Sequence, residues 1–423
     1  MTATPFRSVD EIDLSDIEFW ARPWAERDAA FALLRREDPI RHFAEPVIEP
    51  FPEGPGYFAI TKMRDVLEVS RTPEVFCSGQ GAVSILDMPA DMNEYFGSMI
   101  SMDDPRHARL RRIVSTTFTP RMLNNVLDDV ARTATRIVDD VIERGSIDFV
   151  ADVAMPFPLY VILDMMGIPH ENFDLVLRKS NIILSGGDPE FIPEGTDPIT
   201  AFLEAGAALA GLLDEVGARK RIEPTDDLLS ALVTTEVDGE QLSGEELASF
   251  FILLSVAGHE TTRNGLSHGI RLLSENPDQR ALLLADMDGT MGTAVEEIVR
   301  VAAPVVWMRR TLTRDHVLSG VEMHEGDKVL LFYGSANHDE DVFTDPDRFD
   351  IRRDPNPHVG FGGPGPHFCL GAHLARREIA VMLRELYTRI PDLELDGAPE
   401  QLRSSFINGI KRMPMRFTPG GAR

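Results

Sequence analysis

The residue with the most distinctive chemistry is Cys369, within HVGFGGPGPHFCLG at 358–371. The chain of 423 residues has only two cysteines. Gly360, Gly362, Gly363 and Gly365 permit tight turns and close approach of backbone to a flat ligand. Pro364 and Pro366 stiffen the turn. A helix is predicted to start at about Leu370 and to aim its N–H groups and positive dipole end at the sulfur. That arrangement would lower the thiol pKa and favour a metal-bound thiolate. Two plainer readings exist. Residues 360–365 match the dinucleotide pattern GxGxxG, but they follow Asp354-Pro355-Asn356-Pro357 instead of a strand. A lone cysteine is most often a small buried hydrophobe.

Other residues decide between these readings. Ala257-Gly258-His259-Glu260-Thr261-Thr262 lies in the middle of an apolar helical stretch. A helical Gly costs up to about 1 kcal/mol there, and burying an acid costs more unless it is partnered. A locally widened helix, with Glu260 and Thr261 facing a cavity, would deliver protons and hold an oxygen species. The plainer alternative has the threonine bonded back to its helix and Glu260 at a polar surface. His259-Glu260 begins the zinc-protease pattern HExxH, which fails at Arg263. Glu297 and Arg300 share a helix face and can pair, a weak signal alone. His107 and Arg111 lie four apart, and Arg310 and His367 add further cations. Together these fit iron protoporphyrin IX (haem b), with Cys369 as axial ligand and the cations on its propionates. A thiolate ligand favours O–O cleavage.

The elements that must position these groups read mainly as helices. Asp103-Asp104-Pro105 opens one, by an acidic cap and a first-turn Pro. Helical patterns also cover 63–70, 126–144, 158–167 and 201–221. Ser243-Gly244-Glu245-Glu246 is a capping-box start for a long helix running to about Asn276, before Pro277. Its middle is apolar nearly all round, as in a central helix. Strands are predicted at 56–61 and 328–333, a loop at 78–100, a break at 186–198, a meander at 341–357 and a hairpin at 402–417.

The formal charge of −27, from 42 basic and 69 acidic residues, opposes binding to nucleic acid and anionic membranes. An apolar share of 43% suits a large core. Two cysteines exclude a disulfide framework and four-cysteine metal sites. The N-terminus lacks a signal-peptide pattern, and no apolar run spans a bilayer. A cytoplasmic monomer without transmembrane segment is expected.

These pieces, in this order, resemble the cytochrome P450 superfamily. Asp104-Pro105-x-His107-x-x-x-Arg111 looks like its C helix, 257–262 like its oxygen-activation motif, Glu297/Arg300 like its K-helix pair and 361–371 like its cysteine loop. The resemblance covers essentially the whole chain. It implies a mainly α fold, one domain over 1–423 with a helix-rich lobe and a small β lobe. By the same resemblance Cys369 is the proximal iron ligand, and Glu260 and Thr261 are the acid–alcohol pair of proton delivery. Glu297, Arg300 and a meander arginine, Arg348, hold the core behind the haem. His107, Arg111, Arg310 and His367 bind propionates. Apolar Ile85, Met99, Ile100, Val256, Val306 and Phe406 sit on segments that line the family's substrate pocket; core packing is their alternative.

The common pattern places Phe seven residues before the Cys, whereas Phe361 stands eight before Cys369. An actinobacterial subgroup shares this longer loop. YFGSMI (95–100), LASFFILLSVAGHETTRN (247–264), TAVEEIVRVAAPVVWMRRTLT (293–313), FCLGAHLARREI (368–379) and SSFINGIKRMP (404–414) resemble the same subgroup, hydroxylases of methyl-branched lipid termini and sterol side chains. Asn is expected there at the place of His259. The implied reaction is O2-dependent hydroxylation of an apolar lipid, with electrons from a ferredoxin and its reductase. Arg106, Arg109, Arg112, Arg376 and Arg377 would offer the ferredoxin a basic patch. A hydroxylase of terpenoid or other secondary metabolism and a non-catalytic haem-thiolate sensor are the alternatives.

Overall fold

A computed structural model describes residues 6–48, 52–117, 120–184, 188–234, 236 and 239–421. The helices that matter for the site are α1 (Trp24–Glu37), α2 (Met63–Arg71), α3 (Ala90–Gly97), α4 (Arg106–Thr117), α5 (Pro120–Val141), α6 (Pro156–Met166), α7 (Phe173–Leu184), α8 (Pro198–Ile222), α9 (Gly244–Glu275), α10 (Met287–Ala302) and α11 (Ala372–Arg389). The larger hydrophobic core lies among α5 to α11.

Helix α9 is the axle of this lobe. Its start is fixed by the expected capping box: Glu246 N–H donates to Ser243 Oγ at 3.1 Å, and Ser243 N–H to Glu246 Oε2 at 2.9 Å. Its 32 residues span about 48 Å at the usual helical rise. Burial runs round the helix from Leu247 to Leu273, because α3, α6, α7, α8, α10 and α11 all pack on it.

The glycines of α9 have a packing reason. A Cβ at Gly258, Gly265 or Gly269 would come within 3.1 Å of Ile162 on α6, Ile379 on α11 or Ile298 on α10. The expected widening around Gly258 is absent: α9 is regular α-helix throughout its length. The cost of the glycine is offset by the close approach of α6.

The β lobe is a five-stranded sheet of β1 (Ile40–Phe43), β2 (Tyr57–Ile60), β3 (Phe76–Cys77), β4 (Trp307–Leu312) and β5 (Lys328–Phe332), in the order β1-β2-β5-β4-β3. Only the β2–β5 pair is parallel. β5 is buried at every position, as an inner strand covered on both faces should be.

Three expectations need correction. The loop at 78–100 contains α3, which ends at Ser98, a residue with φ 46°. Pro105 precedes α4 instead of lying in its first turn. The tail is not a hairpin: Ile410–Arg412 pairs with Glu400–Gln401, while Pro414–Arg416 pairs with Ser146–Asp148 and Glu394–Leu395. Its alternation reflects two different sheets, each with one buried face. No helix among the described residues is long and apolar enough to cross a membrane.

Replacing Ser243 by Ala removes one half of the capping box and should cost about 1 kcal/mol. A urea titration should show a lower midpoint for S243A and near recovery for S243T. An unchanged midpoint would mean that tertiary packing alone sets the start of α9.

Candidate active site

The foundation of the site is a fully buried ion pair. Glu297 and Arg300, one helical turn apart on α10, are both 0% exposed. Arg300 Nε and one terminal nitrogen each reach a Glu297 carboxylate oxygen at 2.8 Å. Arg300 also donates to the carbonyls of Asn337 and Pro346 at 2.8 Å and of Arg348 at 3.3 Å. Glu297 further accepts from Asp350 N–H, Asn356 Nδ2 and Arg353 Nε at 3.0–3.2 Å. Burying two charges is tolerable because every charged atom has a partner.

The meander arginine of this knot is Arg353, not Arg348. Arg353 clamps Glu297 and donates to the carbonyls of Thr344, Asp345 and Arg348. The Arg348 side chain is 63% exposed and lies 3.9 Å from Asp350; only its carbonyl takes part.

The cysteine loop rests on this base. Val359 N–H donates to Asn337 Oδ1 at 2.8 Å, and Asn337 Nδ2 to the Arg300 carbonyl at 3.0 Å. Glu296 binds His358 at 2.9 Å and Arg376 at 2.5 and 2.9 Å. The Arg376 guanidinium also lies 4.2 Å from the Phe361 ring centroid. Burial pushes the Glu296 carboxyl up, but His358 and Arg376 outweigh it and hold the group at about 2.

Gly362 (φ +87°) makes the turn that lets Cys369 N–H reach the Phe361 carbonyl at 3.0 Å. The other glycines serve packing against protein. A Cβ at Gly360 would collide with Val299, and at Gly363 or Gly365 with Ser70 on α2.

Cys369 is itself exposed, yet protein surrounds its sulfur closely. Burial raises its thiol pKa, outweighing the Gly371 N–H, Arg111 and Arg376, which lower it. The expected depression by the α11 N-terminus is thus reversed. A metal bound at the sulfur would displace the thiol proton that burial otherwise favours.

Four cationic or cation-capable side chains gather around His367, two residues before the sulfur. His107 and His367 rings lie 4.3 Å apart. Burial depresses His367 to about 2, helped by Arg310, His107 and Arg111. Burial also lowers Arg310, which is 6% exposed and donates to the Arg309 carbonyl. His107 Nε2 is buried without a hydrogen-bond partner. Arg111 donates to the Phe368 carbonyl at 2.7 Å. A cleft of about 380 Å³ runs between α4 and the loop, walled by His107, Arg111 and Gly365. This is a site that calls for anions. Among the described residues no cluster of three or more His, Cys, Asp or Glu could hold a metal. A metal on Cys369 must therefore take its other ligands from a non-protein frame. A haem, with one open axial position and two carboxylates, fits this donor set.

On the other side, Thr261 Oγ donates to the Ala257 carbonyl at 2.7 Å, the back-bonded arrangement. Glu260 is 2% exposed and is not at a polar surface. Its Oε1 meets Arg263 at 2.5 Å and Asn264 at 2.9 Å, while Oε2 has no protein partner. That oxygen is the one acceptor of Glu260 left open to a further partner.

His259 turns away from Thr261. Its Nε2 lies 3.0 Å from the Met155 carbonyl beside α6, and burial, reinforced by Arg263, depresses it to about 3. It is a neutral packing residue at physiological pH. Glu378 on α11, unmarked by any sequence signal, is 3% exposed; burial pushes it up to about 8, tempered by the Thr262 hydroxyl.

The apolar candidates divide. Ile85 and Val306 share one cluster, with Phe406 packed against it and Trp307 beside them. Met99, 4% exposed, belongs to the helical core, with Val256 packed against that core. Ile100 is half-buried and joins neither cluster. The proposed basic patch is largely neutralised: Arg106 pairs with Glu94, Arg109 with Glu240 and Glu246, and Arg376 with Glu296. Arg112 lies 3.7 Å from Glu240, and Arg377 is exposed.

The chain matches the family model described as Cytochrome P450 over residues 212–389. It is 46% identical to the methyl-branched lipid omega-hydroxylase of Mycobacterium tuberculosis, over 99% of this chain and 97% of the relative. It is 38% identical to the steroid C26-monooxygenase of Mycolicibacterium smegmatis, over 92% and 90%. Among solved structures, a Mycobacterium marinum cytochrome P450 in complex with pseudoionone aligns with TM-score 0.89 and 42% identity, over 98% of this chain and 100% of that one.

Two measurements check the base of the site. Arg353→Ala leaves Glu297 short of a partner and should destabilise the protein by about 3 kcal/mol or more, whereas Arg348→Ala should stay within about 0.5 kcal/mol. Equal effects in thermal unfolding would refute the assignment. Glu296 has a depressed folded pKa, so its stabilisation is complete above its ordinary 4.5 and fades as pH falls toward about 2. The gap in urea midpoint between wild type and E296Q should be largest at pH 7 and narrow below 4.5.

Proposed function

The chain belongs to the cytochrome P450 superfamily and is a haem b monooxygenase, and on that premise we propose that it hydroxylates the terminal carbon of an apolar lipid with a methyl-branched end. The observation that carries this reading is the near full-length similarity to an enzyme named for methyl-branched lipids. The steroid relative and the pseudoionone complex support it from a second side. A methyl-branched lipid, a sterol side chain and pseudoionone share one chemical feature, an apolar chain carrying methyl branches.

Cys369 Sγ would hold haem b by its iron, and the group would supply O2 activation, one oxygen atom entering a C–H bond and the other leaving as water with two electrons and two protons consumed. Arg111 and Arg310 would pair with its carboxylates, while His107 and His367 would offer them ring N–H groups. The chain's own residues determine where and how cleanly that chemistry occurs. Glu260 presents Oε2 as the proton-passing atom while Arg263 and Asn264 fix Oε1. Thr261, with its hydroxyl hydrogen directed to Ala257, keeps its oxygen lone pairs as acceptors. Ile85, Val306 and Phe406 supply an apolar wall that excludes water.

A terminal C–H bond is stronger than the internal ones, so regioselectivity must come from holding the chain end-on. Each buried CH2 contributes about 0.8 kcal/mol to that grip. One methyl branch in a fitted pocket is worth about 1–3 kcal/mol of discrimination.

Electrons come, in this reading, from a small acidic ferredoxin and its reductase. It docks on the Cys369 side, where Arg112, Arg377, Phe368 and Leu370 are all exposed. The protein works as a monomer in the cytoplasm.

Titration with branched fatty acids, isoprenoids and sterol ketones should shift the haem spin state, with unbranched chains weaker. Products should carry the hydroxyl on the terminal carbon. Binding of non-lipid compounds alone would overturn the reading in favour of secondary metabolism. Thr261→Ala and Glu260→Gln should bind lipid normally but lower product per O2 consumed by about tenfold or more. Unchanged coupling would refute their role and leave a lipid-binding haem protein.

A further inference from the structure

Two buried cations outside the set around His367 hold the stretch 82–87. Arg309 on β4 is 1% exposed. Its backbone N–H donates to the Ala82 carbonyl at 2.9 Å. Its guanidinium donates to the carbonyls of Ser84, Ile85 and Leu86 at 3.1–3.4 Å and to Asp87 Oδ1 at 2.7 Å. Lys328 on β5 is 2% exposed, and its Nζ reaches Glu45 Oε1 at 2.7 Å, Asp87 Oδ2 at 2.8 Å and the Ile85 carbonyl at 3.1 Å.

The stretch has no helix or strand of its own. Its carbonyls, which a sheet or helix would otherwise satisfy, are satisfied by the cations. Gly81, at φ +125°, lets the chain pass: a Cβ there would stand 3.2 Å from the Arg309 guanidinium.

Two features give this arrangement a function. Ile85 is gripped by both cations through its carbonyl, and its side chain sits in the wall with Val306 and Phe406. The position of that wall therefore depends on the cations. Asp87, by contrast, is 62% exposed while bridging Arg309 with one oxygen and Lys328 with the other. It is the wet member of a dry cluster, and the one that water and salt can compete for.

We propose that Arg309, Lys328 and Asp87 form a latch that positions the Ile85 wall, and that rupture of the two Asp87 ion pairs frees residues 82–87 to admit and release the lipid. Arg309 and Lys328 are positioning residues; neither needs to touch the reacting atoms. The claim that this wall meets lipid rests on the function proposed above, whereas the latch itself does not.

Hydrogen exchange separates the two. In substrate-free holoenzyme, D87N should speed amide exchange across 82–88 by about tenfold or more while α9 is unchanged. Unchanged exchange at 82–88, or a uniform increase over the whole protein, would overturn the latch. Stopped-flow mixing with a branched fatty acid should then show both association and dissociation several-fold faster in D87N. Added salt should accelerate wild type but not D87N, and D87E should recover most of the slow behaviour. Faster exchange in a protein that binds no lipid would leave the latch standing and refute the lipid reading. Faster exchange with unchanged lipid kinetics would refute the latch as a gate.

Discussion

The site depends on two charges placed where water does not reach. Glu297 and Arg300 would be a liability in the core if either lacked partners, since an uncompensated buried charge costs several kcal/mol. Their partners are therefore obligatory: the meander carbonyls, the Asp350 amide, Asn356 and Arg353. Satisfying the pair folds a segment that has no regular structure of its own into one fixed course. Asn337, tied to the Arg300 carbonyl, then carries Val359 and so the start of the cysteine loop. A sulfur atom is thus positioned by an electrostatic requirement centred some seventy residues earlier in the chain.

The opposite wall follows a different logic. Helix α9 is continuous, and its polar residues are handled one by one. His259 is turned to Met155, Glu260 to Arg263 and Asn264, and Thr262 to Glu378. Of the adjacent acid and alcohol, Glu260 and Thr261, one carboxylate oxygen and the hydroxyl lone pairs remain free.

Much of this was legible in the sequence because its causes are local. The capping box at Ser243, the glycine–proline run before Cys369 and the Glu297/Arg300 spacing each act over a few residues. What was not legible depends on contacts distant in sequence. The meander offers Arg348, Arg352 and Arg353 in nearly the same local setting, and only the fold selects Arg353 to meet Glu297. Gly258 suggested a distorted helix because the approach of Ile162 cannot be read from α9 alone. The basic patch was overestimated because Glu94, Glu240 and Glu296 reach it from other segments. The Cys369 thiol was expected to be acidic from its helix dipole; burial, a property of the assembled lobe, prevails.

The gathering of His107, Arg111, Arg310 and His367 has a consequence for the life of the protein before it ever turns over. Arg111 and Arg310, two like charges held beside two imidazoles that burial keeps neutral, oppose completion of the fold until carboxylates arrive between them. Anything that binds the native state and not the unfolded chain shifts the folding equilibrium by mass action. Maturation and cofactor loading are then a single equilibrium. A shortage of the cofactor would then leave a larger share of the chain in forms that proteases can reach.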